Sequence, residues 1–328
     1  MENLRERRHV ASCRVLVTRR LPPGALDALD CHEVIGPKPD DSAYTHPELA
    51  ALAPEVDAIV CLLTDRIDAA VLAAGAARLR VIANVAVGHD NIDLQAAASH
   101  GITVCNTPGV LDDTTADLAF LLILAASRLA SQAEHELRSG HWSGWEITGH
   151  MGRDVHGATL GLVGYGRIGR AVATRAAGFG MRVLHHARHK TGAPGYTADL
   201  DALLISSDIV SLHVPGGAET HHLIDSPRIS LLGRDGVLVN TARGTVVDEA
   251  ALADALHGGR LFAAGLDVYD REPQIHPRLL SAPRTVLLPH IGSASLATRT
   301  RMAAMAAEAV ATVLAGGTPS NAVPAPSH

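Results

Sequence analysis

The sequence predicts an α/β protein of two domains, each a parallel β-sheet flanked by helices, with a cleft between them. Three observations lead there. A chain of 328 residues is about two domains long, and 47% of it is apolar, enough for a substantial core in each. Short β-branched runs alternate with Ala/Leu-rich stretches almost from end to end, the pattern of strands joined by helical crossovers. Midway along, a glycine-rich turn separates an apolar strand from an Ala-rich helix.

In chain order the expected strands are 14–18, 58–63, 81–85 and 103–105, then 159–163, 182–185, 209–213, 237–241, 263–267 and 285–288, which divide into two sheets. The divider is 112–129, where Asp112 or Asp113 is placed to cap a helix and Thr114, Thr115 and Asp117 occupy its first turn. Its apolar run LAFLLILAA, 118–126, is too short for a bilayer, which takes about 20 residues, and reads as a buried packing or dimer helix. The loop 138–156 is rich in glycine and holds both tryptophans, Trp142 and Trp145. The last helix, 295–315, is long and Ala/Met-rich and is expected to pack back on the first domain. The expected division is 1–111 with 293–328 as one discontinuous domain and 112–292 as the other. Within the second, 112–157 forms an interdomain and dimerisation helix and loop.

A formal charge of −6 and a pI near 6.3 give no general attraction to nucleic acid or to an acidic membrane surface, and neither partner is expected. Cys13, Cys31, Cys61 and Cys105 lie far apart with no C-x-x-C spacing, as in a reduced, intracellular and cytoplasmic chain. The opening MENLRERRHV is arginine-rich but includes Glu2 and Glu6, and no apolar stretch follows, so a secretory leader is not expected. The 19 histidines show no trustworthy metal-ligand spacing, and no metal is expected.

The sharpest motif is LGLVGYGRIGR, 160–170, a G-x-G-x-x-G between strand and helix. Gly164 allows the tight turn, Gly166 lets a pyrophosphate approach the backbone, and Gly169 lets helix and strand pack closely. The helix start adds unpaired N–H groups for the phosphates. A lone motif of this kind is weak evidence. The strand before it, the helix after it and a second strand at 182–185 make it a Rossmann-like dinucleotide site. In that arrangement an Asp or Glu about 20 residues further on takes the adenosine ribose. Ala187 stands there instead, followed by Arg188, His189 and Lys190. An acid would repel a 2′-phosphate, whereas a guanidinium can clamp it. NADPH is therefore the expected cofactor, with NADH also accepted, although a basic run is also what an ordinary solvated loop looks like.

Three further stretches, 239–244, 265–273 and 288–294, each lie at or just beyond the C-terminal end of an expected strand. Open parallel sheets bind ligands at that edge, so Arg243, Glu272 and His290 can converge beside a nicotinamide. Singly each has an ordinary structural alternative: a surface ion pair, a loop acid, a satisfied histidine in a turn. Jointly they point to chemistry.

GLVGYGRIGRA, NTARGTVVDEAAL, AAGLDVYDREP and LPHIGSAS together resemble the D-isomer-specific 2-hydroxyacid dehydrogenases, and the resemblance runs through nearly the whole chain. VAVGHDNID at 85–93 resembles that family's substrate loop, and DTTADL at 113–118 its interdomain helix start. CLLTD at 61–65, HWSGW at 141–145, the non-acidic Ala187 with Arg188, and PHIGSAS resemble the glyoxylate/hydroxypyruvate reductase branch. One departure is HVPGG at 213–217, where the family more often has Leu-Thr after the proline.

The resemblance implies a homodimer that reduces small 2-oxo acids, glyoxylate to glycolate and hydroxypyruvate to D-glycerate. That reaction needs a hydride at C2, a proton for the carbonyl oxygen, and a cation that holds the substrate and polarises its carbonyl. Arg243 suits the last task. The N–H groups of Val87 and Gly88 would bind the same carboxylate from the other domain. His290 is the implied proton donor, and Glu272 would orient its ring and favour its charged form. In the family's formate dehydrogenases a glutamine replaces this glutamate and no proton is relayed. Implied cofactor contacts are Thr115, Gly164, Gly166, Arg167, Ile168, Gly169, Pro215, Thr241, Asp267 at the nicotinamide amide, and Gly292, beside Arg188, His189 and Lys190. Trp142 or Trp145 either packs at a dimer interface or reaches the neighbouring subunit's substrate pocket. Two other readings stay open. One is an NAD-dependent dehydrogenase of the phosphoglycerate or D-lactate type, although many phosphoglycerate enzymes carry a further regulatory domain, for which the residues after 320 leave no room. The other is a nucleotide-sensing, co-repressor-like binding protein that retains the triad.

Overall fold

The computed structural model describes residues 12–326, so the arginine-rich opening, and with it the expectation about a leader, lies outside the described residues. The chain forms two units, one running to Leu111 and resuming at Ser295, the other Asp112–Ala294. The first unit opens with β1 (Arg14–Val17), β2 (Glu33–Ile35), α1 (His46–Leu52), β3 (Ala58–Cys61), α2 (Ala69–Gly75), β4 (Val81–Asn84), α3 (Leu94–Ser99) and β5 (Thr103–Cys105). Its strands are all parallel, in the order β2-β1-β3-β4-β5. The central strands, AIVC and VIAN, are buried at every residue, as a parallel sheet covered on both faces requires. Helices start where the sequence supplies side-chain acceptors: Thr45 and Glu48 close a capping box on α1, and Asp68 and Asp93 cap α2 and α3.

The second unit holds α4 (Asp112–Ser127), α5 (Ala130–Arg138), β6 (Thr159–Val163), α6 (Arg167–Ala177), β7 (Arg182–His186), α7 (Leu200–Ile205), β8 (Ile209–Leu212), α8 (Ser226–Leu232), β9 (Val237–Asn240), α9 (Glu249–His257), β10 (Ala263–Leu266), α10 (Pro277–Leu280) and β11 (Thr285–Leu287). Its parallel order is β11-β10-β9-β8-β6-β7. In each sheet the unit's first strand lies between its second and third. The chain therefore reverses its direction of growth beside that strand, and ligands of open α/β sheets bind at the carboxyl ends of the strands at such a point. The last helix, α11 (Leu296–Leu314), is capped by Ser295 and packs on β3, β4 and β5 of the first unit, where Ala306, Ala307 and Val310 join Val15, Val60 and Ala83 in one core.

Four details depart from the sequence reading. β2 is an additional, largely exposed edge strand of three residues, too short and too polar to declare itself. The polar helix α5 buries none of its side chains and is set off from α4 by Leu129 in the left-handed conformation, φ 54°. α4 begins at Asp112 itself, so Asp112 and Asp113 lie in its first turn instead of capping it. Several strands also stop a residue or two early at the C-terminal edge, because residues such as Leu62 turn into the loops; its N–H donates to Asp65 Oδ2 at 2.8 Å. Among the described residues no single helix is long and apolar enough to cross a membrane.

Candidate active site

The glycine-rich loop leaves β6 at its carboxyl end. Gly164 has φ +100°, and a Cβ there would lie 2.6 Å from the His213 carbonyl carbon beyond β8. A Cβ on Gly169 would lie 2.3 Å from the Gly164 carbonyl oxygen, whereas one on Gly166 would meet nothing within 4 Å. The loop is thus closed on its inner side and open above Gly166. Gly166 starts α6 without any side-chain cap, so the helix's first N–H groups, including those of Arg167 and Ile168, keep their donors for an external acceptor. Arg167 pairs with Asp112, Nε to Oδ2 3.3 Å. Beyond β9 the Thr241 hydroxyl is buried with no partner among the described residues, the condition of a polar group that a ligand completes. These features fit a dinucleotide.

At the end of β7 the basic run separates into two roles. His185 is buried, stacks on Tyr165 with ring centroids 3.7 Å apart, and pairs with the Thr191 hydroxyl. It anchors the returning loop and takes no part in a surface cluster. Burial also lowers its pKa from the ordinary histidine value. Arg188, His189 and Lys190 are exposed. The Arg188 guanidinium already has a counter-ion, Glu219, Nη2 to Oε2 2.6 Å, a pairing across 31 residues that no local pattern announces. Pro215 is exposed, and its carbonyl accepts a hydrogen bond from the Thr220 hydroxyl at 2.7 Å.

Arg243, Glu272 and His290 come together at the ends of β9, β10 and β11. His290 Nδ1 lies 2.8 Å from Glu272 Oε2. The other carboxylate oxygen, Oε1, accepts the Tyr269 N–H at 2.9 Å. Partial burial works to raise the Glu272 pKa, but the His290 and Tyr269 hydrogen bonds and the nearby His290 and Arg243 charges outweigh it, and the carboxyl lies below the usual glutamate value. An ionised carboxylate only accepts, so Nδ1 carries the hydrogen and Nε2 is left for proton exchange. The Arg243 turn is shaped by Asn240, whose amide donates to the Arg243 carbonyl at 2.8 Å and whose oxygen accepts the Ala242 N–H at 3.0 Å. Gly244 then passes so close to the next loop that a Cβ would lie 1.8 Å from the Tyr269 carbonyl carbon.

His290 itself adopts the left-handed conformation, φ 54°, which is costly for a residue with a Cβ and clusters at functional sites. Its N–H donates to the Asp267 carbonyl at 2.9 Å, and the two carboxylate oxygens of buried Asp267 accept the N–H groups of Ile291 and Gly292, each at 2.8 Å. Burial raises the Asp267 pKa, against those two hydrogen bonds and the His290 charge, which lower it. Thr115 lies beside this turn: a Cβ on Gly292 would be 3.3 Å from Asp267 Oδ2 and 3.5 Å from Thr115 Cγ2.

In the first unit, Val87 and Gly88 lie just beyond β4. The carbonyls of Ala86, Val87 and Gly88 are all taken: by the Thr107 N–H at 2.9 Å, the Asn106 amide at 2.7 Å and the Asn84 amide at 2.8 Å. Among the described residues no acceptor engages the N–H groups of Ala86, Val87 or Gly88, so these donors are left for an external acceptor. Trp142 is not drawn into any of these clusters; it is 55% exposed, and Trp145 is 80% exposed. The sequence reading missed Asn84, Asn106, Asn240, Tyr269, Glu219 and Glu249. Glu249, inside the NTARGTVVDEAAL stretch, accepts the Asp270 N–H at 2.8 Å and so braces the loop carrying Glu272. A polar residue closing an apolar strand was the available signal for Asn84 and Asn240.

A Rossmann sheet with an uncapped glycine-loop helix and a His–Glu pair beside an arginine defines a nicotinamide-dependent oxidoreductase. Residues 120–292 match the family model of the D-isomer specific 2-hydroxyacid dehydrogenase, NAD binding domain. The chain is 45% identical over 319 residues to a glyoxylate reductase of Korarchaeum cryptofilum, covering 94% of this chain and 95% of that one. It is 43% identical over 305 residues to a glyoxylate reductase of Thermococcus onnurineus, covering 90% of each. Among solved structures it is similar to the NADPH-dependent glyoxylate/hydroxypyruvate reductase of Sinorhizobium meliloti in complex with NADP and malonate, at 34% identity and TM-score 0.84, covering 95% and 97% of the two chains. The chain belongs to the D-isomer-specific 2-hydroxyacid dehydrogenase family.

Gly244→Ala is expected to force the Arg243 turn away from the Tyr269 loop. Displacing catalytic geometry by about 1 Å costs about 100-fold, so kcat/KM for a 2-oxo acid should fall by that order, and wild-type turnover would show that the close approach is dispensable.

Proposed function

We propose that this enzyme reduces glyoxylate and hydroxypyruvate to glycolate and D-glycerate, with NADPH preferred to NADH. The observation that carries the reading is the His290–Glu272 pair beside Arg243, on a sheet whose ribose-binding position holds Ala187-Arg188 in place of an acid. Relatives named glyoxylate reductase, and a similar structure named as NADPH-dependent, support it. The first unit then serves the substrate and the second the dinucleotide.

On this reading the bound nicotinamide supplies the hydride. In the second unit the Arg243 guanidinium holds the substrate carboxylate and polarises the 2-oxo group, and in the first unit the Val87 and Gly88 amides serve as carboxylate donors. His290 gives its Nε2 proton to the carbonyl oxygen, while Glu272, ionised, holds the ring by Nδ1. Asp267 and Gly292, with Thr115, would border a bound nicotinamide, and Arg188 would exchange its Glu219 partner for a cofactor 2′-phosphate. We further propose a homodimer. Trp142, Trp145, Ile147 and Met151 form an exposed apolar stretch that nothing among the described residues covers, and a second copy suits it.

A crossed panel of glyoxylate, hydroxypyruvate, pyruvate and phenylpyruvate against NADPH and NADH tests the proposal. The highest kcat/KM is expected for the two small acids with NADPH; efficient turnover only of a bulky acid with NADH sinks it. Ala187→Asp with Arg188→Ala should move the NADPH/NADH ratio of kcat/KM at least about tenfold toward NADH. Glu219→Gln, which leaves the guanidinium without its competing anion, should move it the other way. An unchanged ratio in both variants removes Arg188 from the phosphate site. Glu272 lies below its ordinary pKa and is charged throughout the neutral range, so replacing it by Gln withdraws a negative charge from the imidazolium. The alkaline limb for reduction should then fall at lower pH, and a limb that stays in place refutes the pairing as the pH-determining element.

A further inference from the structure

The chain beyond α11 returns to the first unit's sheet. Asn321, Ala322 and Val323 run antiparallel to β5: Ala322 is bridged to Cys105, the Asn106 N–H donates to the Asn321 carbonyl at 3.3 Å, and the Val323 N–H donates to the Val104 carbonyl at 2.7 Å. Ala322 packs into the core that contains α11 and Val323 into the core on the other face, the alternation of a strand. Covering an edge strand explains these two residues. It does not explain Asn321, whose side-chain amide donates to the Asn106 carbonyl at 2.7 Å. Asn106 in turn donates its own side-chain amide to the Val87 carbonyl at 2.7 Å.

A trans peptide points its C=O and the following N–H in opposite directions. Holding the Val87 carbonyl therefore aims the Gly88 N–H, and the Thr107 N–H, by holding the Ala86 carbonyl, aims that of Val87. We propose that Asn106 and Asn321 are positioning residues for the Val87–Gly88 carboxylate site, and that the segment 321–323 is a strap locking this loop in its anion-binding form. The proposal rests on the reading of that loop as the carboxylate site. The relay passes from the Asn321 amide to the Asn106 peptide, and from the Asn106 side chain to the plane that presents the Gly88 donor. No member touches the substrate. Neither asparagine is charged, so the relay aims donors at an anion without placing a competing charge beside it.

Asn106→Ala, Asn321→Ala and Asn321→Asp test it in the full-length enzyme at saturating NADPH. Both Asn321 variants keep the backbone pairing of Ala322 and Val323 with β5 while removing the amide donor. KM for glyoxylate and KI for oxalate, a non-reducible carboxylate probe, should rise about five- to tenfold, with kcat changed by less than about twofold. The Kd for NADPH should stay the same, because the dinucleotide residues belong to the other unit. A lowered Tm with unchanged KM and KI would assign the strap to edge covering alone and overturn the proposal. Gly88→Pro, which deletes the aimed donor, separates the two layers. If it leaves KM and KI unchanged, the carboxylate reading of the loop fails and the strap's role fails with it. If it raises both while the asparagine variants do not, only the strap is refuted.

Discussion

Asp267 is buried, its two carboxylate oxygens accept the N–H groups of consecutive residues Ile291 and Gly292, and its carbonyl accepts that of His290. A left-handed backbone at a histidine costs about 1–3 kcal/mol and persists only where its surroundings over-determine it. Three hydrogen bonds to one residue do so here. With the turn held, His290 offers Nδ1 to Glu272. Glu272 is held at its other oxygen by the Tyr269 N–H, and the Tyr269 hydroxyl reaches back 3.0 Å to the Leu288 carbonyl, two residues before the histidine. The ends of β10 and β11 thus form a closed circuit, and Gly244 presses the Arg243 turn against it.

The two units solve a common problem in similar ways. Each has apolar strands that must give way to shaped turns at their carboxyl ends, and asparagine closes or follows three of them: Asn84, Asn106 and Asn240. A carboxamide is neutral, so burying it costs less than burying a charge, and it can donate and accept. Asn240 uses both functions to shape the Arg243 turn, while Asn106 donates to the Val87 carbonyl behind the Gly88 amide and Asn84 to the carbonyl of Gly88 itself.

Much of this was legible in the linear pattern. Alternating strands and helices announced two parallel sheets, because a parallel sheet needs a crossover after every strand. The start of the last helix was legible at Ser295, whose side chain acts on an N–H three residues away, whereas Asp112 and Asp113, expected to supply a cap, lie inside the first turn of their helix. β2 and α5 escaped because a three-residue exposed strand and a polar helix bury too little to leave a hydrophobic signature. The pairing of Arg188 with Glu219 escaped because both are ordinary surface charges until the fold sets them side by side.

By itself the sequence determined the alternation of elements, the glycine spacing after β6, the absence of an acid at Ala187, and which side chains could carry acid–base chemistry. These are local properties, set by neighbours within a turn or a strand. Tertiary structure alone decided that Asp267 bends the backbone of His290, that Gly244 leaves no room for a methyl group beside Tyr269, and that Asn321 acts on Val87 through Asn106. Each of these joins residues distant in the chain through hydrogen bonds or contacts that depend on direction, and direction exists only once the sheets have placed their strand ends.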